Sequence, residues 1–240
     1  MKRLLLASAA IALATQATAQ DTVRLGTEGA YPPYNFIDDS GEVAGFEREL
    51  GDELCTRAEL TCEWVTNDWD SIIPNLTSGN YDAIMAGMSI TDERDEVIDF
   101  TQAYYPPTAS RYLAMSEDVD VETAVVAAQV NTIQAGYVAE TGATLVEFAT
   151  PDETVAAVRN GEADAVFADS DFLLPIAEQG GEMMIVGEPV PLGGGIGVGV
   201  RETDTELKDA LDAAITAMKE DGTLNEMLLK WFGDETQTFE

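Results

Sequence analysis

TPDETVAAVRNGEADAVFAD, residues 150–169, reads as one complete helix-to-strand unit. Thr150 is a good helix cap, Pro151 suits the first helical position, and Glu153 stands where its side chain reaches back to the cap. Asn160-Gly161 ends the helix, and Ala163 to Phe167 returns as an apolar strand. Asp169 directly follows the strand residues Ala165 to Ala168.

The same alternation extends both ways. Upstream, Arg111 to Met115 and Val125 to Ala128 read as strands, and a helix starts near Thr132. Downstream, Glu182 to Val186 is a strand, and Gly193-Gly194-Gly195 precedes another from Ile196 to Val200. Thr203 and Glu206 have capping-box spacing, Leu207, Leu211, Ile215 and Met218 mark one helix face, and Gly222 separates it from a last helix, Thr223 to Phe232. Toward the start, Thr22 to Thr27 alternates like a strand, two prolines make Tyr31-Pro32-Pro33-Tyr34 a rigid loop, and Asp39-Ser40-Gly41 is a turn. Phe46, Leu50 and Leu54 have helical spacing, Glu63 to Val65 is a strand, Trp69 to Leu76 a short helix burying Ile72, Ile73 and Leu76, and Tyr81 to Met85 a strand. Alternating strands and helices imply an α/β fold with mostly parallel sheets.

The amino terminus reads as an export signal. Lys2 and Arg3 precede an apolar run from Leu4 to Ala14, and Ala17-Thr18-Ala19 offers the small-x-small cleavage pattern. The run is too short for a membrane span, which needs about 20 residues. Cys55 and Cys62, an even count in an exported chain, argue for one disulfide, with two buried thiols as the alternative. Without Lys2 and Arg3 the chain has 10 Lys and Arg against 45 Asp and Glu, a net charge of −35. Such a surface repels nucleic acid and serves either to concentrate cationic solutes or simply to keep the protein soluble.

The chain has no histidine, which removes Ser-His hydrolysis, most zinc sites and the commonest general base. No phosphate-binding loop or dinucleotide fingerprint occurs, and acid spacing carries no information in so acidic a chain. No cofactor and no metal site is expected. Three groups of residues stand out. Tyr31, Tyr34 and Trp69 lie near strand ends and loops, where aromatic faces stack on planar or cationic groups; burial in a core is the alternative. Arg94 has the fork that grips a carboxylate, or else pairs at the surface with Asp92 or Glu93. Glu28 and Asp169 follow strands, where open α/β sheets bind ligands; for Asp169, helix capping is the alternative.

These residues fall into ordered motifs. Gly45-Phe46-Glu47-Arg48-Glu49-Leu50 is similar to G-F-D-x-D-L, and Trp69-Asp70-Ser71-Ile72-Ile73-Pro74-Asn75-Leu76 to W/F-D-x-L-I-P-x-L. Tyr81-Asp82-Ala83-Ile84, Ser89-Ile90-Thr91-Asp92-Glu93-Arg94, Asp221-Gly222-Thr223 and Lys230-Trp231-Phe232 continue the series. Over essentially the whole mature chain the sequence resembles the polar amino-acid-binding proteins of bacterial ABC transporters, solute-binding protein family 3. The resemblance implies a two-lobed, type II periplasmic-binding-protein fold, each lobe a mostly parallel sheet flanked by helices. It places a signal peptide at about 1–19, one lobe at about 20–106 with 195–240, the other at about 110–187, and hinge crossings at about 105–109 and 188–194. It also implies an amino-acid ligand, a membrane permease as partner, a periplasmic location and a monomer without enzymatic activity.

The family's roles carry over as expectations. Arg94 matches the residue that binds the ligand α-carboxylate, with Ser89, the Gly87 backbone and the Thr132 amide beside it. Asp169 matches the acid for the α-ammonium, Tyr31 and Trp69 the aromatics that sandwich the side chain, and Glu28 the acid that meets a distal cation. The sequence departs from the family pattern at Asn131, usually Gly, and over Val119 to Gln129, which lacks the usual K-G-K-x-V-G-V run. Thr27-Glu28-Gly29-Ala30-Tyr31-Pro32-Pro33 and Met85-Ala86-Gly87-Met88 look most like binders of arginine and arginine-derived opines. Arginine is expected first, then lysine or ornithine. An opine, a neutral ligand such as glutamine, a dehydratase-type enzyme and a receptor-linked sensor are the alternatives.

Overall fold

A computed structural model describes residues 22–179 and 181–240; the expected signal peptide lies outside them. The first strand, β1 (Val23–Thr27), is followed by β2 (Ala30–Tyr31), β3 (Asn35–Ile37) and β4 (Val43–Ala44), which pair antiparallel into a small ribbon. Next come α1 (Phe46–Arg57), β5 (Cys62–Thr66), a 3₁₀ turn at Trp69–Ser71, α2 (Ile72–Thr77), β6 (Ala83–Ile84), α3 (Asp92–Asp95) and β7 (Asp99–Phe100). The middle of the chain builds β8 (Ala109–Ala114), β9 (Val125–Gln129), α4 (Ile133–Ala139), β10 (Thr144–Phe148), α5 (Pro151–Arg159), β11 (Ala165–Asp169), α6 (Ser170–Glu178) and β12 (Met184–Pro191). The last elements are β13 (Gly199–Val200), α7 (Thr205–Glu220) and α8 (Thr223–Phe232).

The strands form two five-stranded sheets, ordered β5-β1-β6-β13-β7 and β10-β9-β11-β8-β12. β5, β1 and β6 are parallel, as are β10, β9 and β11; β13 in the first sheet and β8 in the second run antiparallel to the neighbours on both sides, so β7 and β12 point the same way as the parallel strands of their sheets. The result is the two-lobed, type II α/β architecture. Because β13 returns to the first sheet, the chain passes between the sheets twice, after β7 and after β12.

Local chemistry accounts for most element ends. α5 opens with the complete capping box: Thr150 Oγ1 accepts from the Glu153 N–H at 3.3 Å, and the Glu153 carboxylate accepts from the Thr150 N–H at 3.0 Å. The second capping box does not form. α7 starts at Thr205 with Asp204 as its cap residue, so Thr203 and Glu206 lose the required register, and the Thr203 hydroxyl donates to Asp204 Oδ1 at 3.1 Å. The strand expected from Ile196 shortens to Gly199–Val200. Gly195 bends the chain at φ +92°, where a Cβ would stand 2.7 Å from the Tyr105 carbonyl oxygen.

Helices cover both faces of each sheet. Leu211, Ile215 and Met218 of α7 pack with Leu224 and Leu228 of α8 against Leu25, Leu50 and Leu54, while Leu207 sits partly buried at the edge. Ile72, Leu76 and Ile84 close the opposite face, with Ile73 partly buried rather than buried. In the second sheet, Val155, Val158 and Leu173 pack on one face, and Val138 and Phe167 on the other. Cys55 and Cys62 form a disulfide with Cα atoms 6.3 Å apart, tying α1 to β5 and ruling out the two-thiol alternative. No helix among the described residues is long and apolar enough to cross a membrane.

Candidate ligand cleft between the two sheets

The strand ends place the chemistry. Glu28 follows β1, Gly87 and Ser89 follow β6, and Asp169 is the last residue of β11. Trp69 opens the 3₁₀ turn and Arg94 lies in α3 on the first-sheet side; Thr132 caps α4 on the other. All eight expected site residues, including Tyr31, line one cleft of about 330 Å³, measured out to its open mouth.

Arg94 does not pair with Asp92 or Glu93 at the surface. Its guanidinium donates to the Ser89 carbonyl at 2.8 Å and to the Asn131 carbonyl at 3.3 Å, and lies over the Trp69 ring, 5.4 Å from its centroid. None of the ion pairs among the described residues includes it. Burial draws its pKa down to about 10, while the charges of Asp169 and Glu93 oppose the shift. A partly buried guanidinium without a carboxylate partner is a strong hydrogen-bond-donating site for an anionic group.

Asp169 stands at the N-cap of α6, yet its carboxylate makes no capping bond, so the capping alternative fails. Instead, Oδ2 accepts from the Tyr31 hydroxyl at 2.8 Å and Oδ1 from Gln134 Nε2 at 2.9 Å. Burial raises its pKa to about 6; the Tyr31 bond opposes this, Asp171 adds to it, and Arg94 and Gln134 oppose it. Glu28 Oε1 accepts from Gln129 Nε2 at 2.6 Å, and burial raises the Glu28 pKa to about 7 against that bond, with Asp68 adding to the rise.

The remaining residues have defined local duties. The Tyr31 ring stacks on Phe172 at 4.6 Å and on Tyr34 at 5.8 Å. Tyr34 is fully buried and donates to Asp171 at 3.0 Å, so for this tyrosine the core alternative holds. Thr132 Oγ1 accepts from the Ala135 N–H at 3.1 Å and donates to the Gln129 carbonyl at 2.7 Å. Asn131 takes the left-handed conformation, φ +57°, that glycine serves elsewhere in the family pattern. Gly87, at φ +63°, donates its N–H to Glu47 Oε1 at 2.6 Å, so that donor is turned away from the cleft.

The structure adds residues that the sequence reading did not select. Gln129, Ile133 and Gln134 of the second-sheet side line the same cleft. Gln129 ends β9 just as Asp169 ends β11, so the strand-end rule applies to it equally. Gln134 and Ile133 carry no comparable signal, since only tertiary packing brings them in. No group of three or more His, Cys, Asp or Glu among the described residues is arranged to hold a metal ion.

Several known proteins resemble this chain over most of its length. A solved periplasmic His/Glu/Gln/Arg/opine family-binding protein from Silicibacter pomeroyi, in complex with lysine, is 74% identical, with a TM-score of 0.89 over 90% of this chain and 100% of that one. The lysine/arginine/ornithine-binding periplasmic protein of Escherichia coli (strain K12) is 31% identical over 246 residues, 95% of this chain and 94% of the relative. A solved ancestral amino acid-binding protein, described as a precursor of cyclohexadienyl dehydratase, is 30% identical with a TM-score of 0.80, over 88% of this chain and 95% of that one. The model of the bacterial extracellular solute-binding proteins, family 3, matches residues 23–234, and the chain therefore belongs to that family.

Proposed function

We propose that this chain is the periplasmic amino-acid-binding component of an ABC importer, and that its ligand is cationic: arginine first, then lysine or ornithine. The observation that carries the reading is the pairing of Arg94, which has no carboxylate partner, with Asp169 across one cleft. An α-amino acid bears a carboxylate and an ammonium on one carbon, and these two side chains complement them. Arg94 grips the carboxylate, assisted by Ser89 and the Thr132 amide. Asp169 accepts from the ammonium. Trp69 and Tyr31 flank the side chain, and Glu28 meets its far end.

Charge counting supports a cation. Arg94 brings one positive charge, and Glu28 and Asp169 bring two negative ones when ionised. The remaining negative charge matches the single positive charge of arginine or lysine. The lysine held by the 74% identical relative supports the same class. The two passages of chain between the sheets, about 105–109 and 188–194, would act as hinges between lobes at about 20–106 with 195–240 and about 110–187, closing over the ligand as rigid bodies. A signal peptide at about 1–19, a permease partner and a monomeric state complete the proposal.

A dehydratase-type activity has one observation behind it, the 30% identical relative described as a precursor of such an enzyme. The Arg94–Asp169 pair, suited to an unmodified α-amino acid, weighs against it. Thermal melting of the purified protein against single amino acids tests the proposal, because a ligand that binds only the folded state raises the midpoint. Arginine, lysine and ornithine are expected to raise it. Arg94→Ala is expected to weaken their binding at least about hundredfold. No shift with any amino acid, or turnover of a small cyclic acid, would overturn the reading.

A further inference from the structure

The geometry points to Gln129 as the residue that selects ammonium- and guanidinium-ended side chains, by leaving only hydrogen-bond acceptors at the Glu28 end of the cleft. The inference rests on the amino-acid reading of the cleft.

Gln129 closes β9 in the second sheet, and Glu28 follows β1 in the first. Gln129 is 8% exposed as a residue, and its side-chain amide nitrogen carries two hydrogens. One goes to Glu28 Oε1 at 2.6 Å and the other to the Ala149 backbone carbonyl at 3.0 Å. A backbone carbonyl only accepts, so the Ala149 contact fixes which way the amide faces; the reversed amide would set two acceptors against each other. With both donors committed, the side-chain oxygen Oε1 of Gln129 is what remains, and no described residue donates to it, the Thr132 hydroxyl bonding the backbone carbonyl instead. Glu28 uses Oε1 for Gln129 and keeps Oε2. Both residues line the cleft. With Glu28 ionised, the far end thus offers two acceptors and no donor.

An ammonium or a guanidinium has enough N–H groups to satisfy both acceptors at once. The side-chain amide of glutamine brings an acceptor of its own, which finds no donor beside an ionised Glu28 and loses its water on entry. Selection then follows from hydrogen-bond inventory as well as from charge.

Titration calorimetry with lysine, arginine and glutamine on the purified protein and two variants tests this, with circular-dichroism melts to confirm folding. Gln129→Met keeps the length of the side chain and removes its polar atoms. It is expected to weaken lysine and arginine by about tenfold while sparing glutamine, so that the affinity ratio narrows. Gln129→Glu retains acceptors alone and is expected to keep the preference for lysine. An unchanged lysine-to-glutamine ratio in Q129M sinks the inference, and so does a ratio in Q129E that narrows as in Q129M. Wild-type protein that binds glutamine as tightly as lysine also overturns it while leaving the amino-acid function intact. Wild-type protein that binds none of the three removes the functional reading itself.

Discussion

Glu28, held at a pKa of about 7 by burial, carries a proton in roughly half of the ligand-free molecules at neutral pH. A cationic side chain binds the ionised carboxylate and must therefore expel that proton when it is present. Affinity for arginine and lysine is expected to fall as the pH drops below about 7, by up to about tenfold per unit. The fall is expected to steepen below about 6, where Asp169 also takes up a proton and the hold on the α-ammonium proposed for it would weaken. Glutamine would show only the loss at the lower pH, and Glu28→Gln would abolish the upper one. Calorimetry across the range checks this, and equal pH profiles for lysine and glutamine would contradict it. The absence of histidine makes the assignment clean, since no side chain here ordinarily titrates near 7.

Between elements, Glu47 of α1 does the most joining. It is fully buried and accepts from Asn35 Nδ2 at 2.7 Å, from the Gly87 N–H at 2.6 Å and from the Tyr104 hydroxyl. Asn35 Oδ1 in turn accepts from the Gly29 N–H at 2.7 Å, beside Glu28. α1 is thereby fastened to β3 and to both first-sheet loops that form the cleft. Glu47→Ala would strand three buried donors and is expected to lower stability by about 3 kcal/mol or more in urea denaturation. Lysine affinity is expected to fall with it; a variant of wild-type stability would show that Glu47 is dispensable. The acidic motif around Glu47 was legible in the sequence, but its three partners lie far from it along the chain and were not. The α5–β11 unit was legible because cap, proline and Asn-Gly turn agree with the apolar pattern. The start of α7 was misplaced because Asp204 and Thr203 are both natural cap residues, and spacing alone does not rank them. α6 escaped notice, having Pro175 inside it, a residue that argues locally against a helix. Arg94 read locally as one half of a surface pair; only the family motif directed it to the cleft.

For the molecule as a whole, 45 acidic residues face 12 basic ones. The Arg24–Asp82–Arg201–Asp204 network joins β1, β6 and the approach to α7, but most carboxylates have no cation to meet. Self-repulsion of this kind weakens the folded state and is screened by salt. The cleft adds to it in the same direction. Glu28 and Asp169 have raised folded-state pKa values, so their contribution to stability is complete below their unfolded values and is lost as pH rises through about 7 and about 6. Asp82, lowered to about 2, acts oppositely but only in strong acid. Ligand-free protein is therefore expected to melt higher at about pH 5.5 than at about pH 8, and higher in about 0.5 M salt than in about 0.01 M. Scanning calorimetry decides it, and a midpoint insensitive to salt would mean that repulsion does not limit stability. Trp69, with the Arg94 guanidinium over its ring, has one more consequence. The chain has three tryptophans, at 64, 69 and 231, and Trp69 is the one that lines the cleft. Its indole emission is expected to respond to whatever that guanidinium holds. With Trp64→Phe and Trp231→Phe in place, the protein becomes a single-emitter optical sensor that reports cleft occupancy without any attached dye.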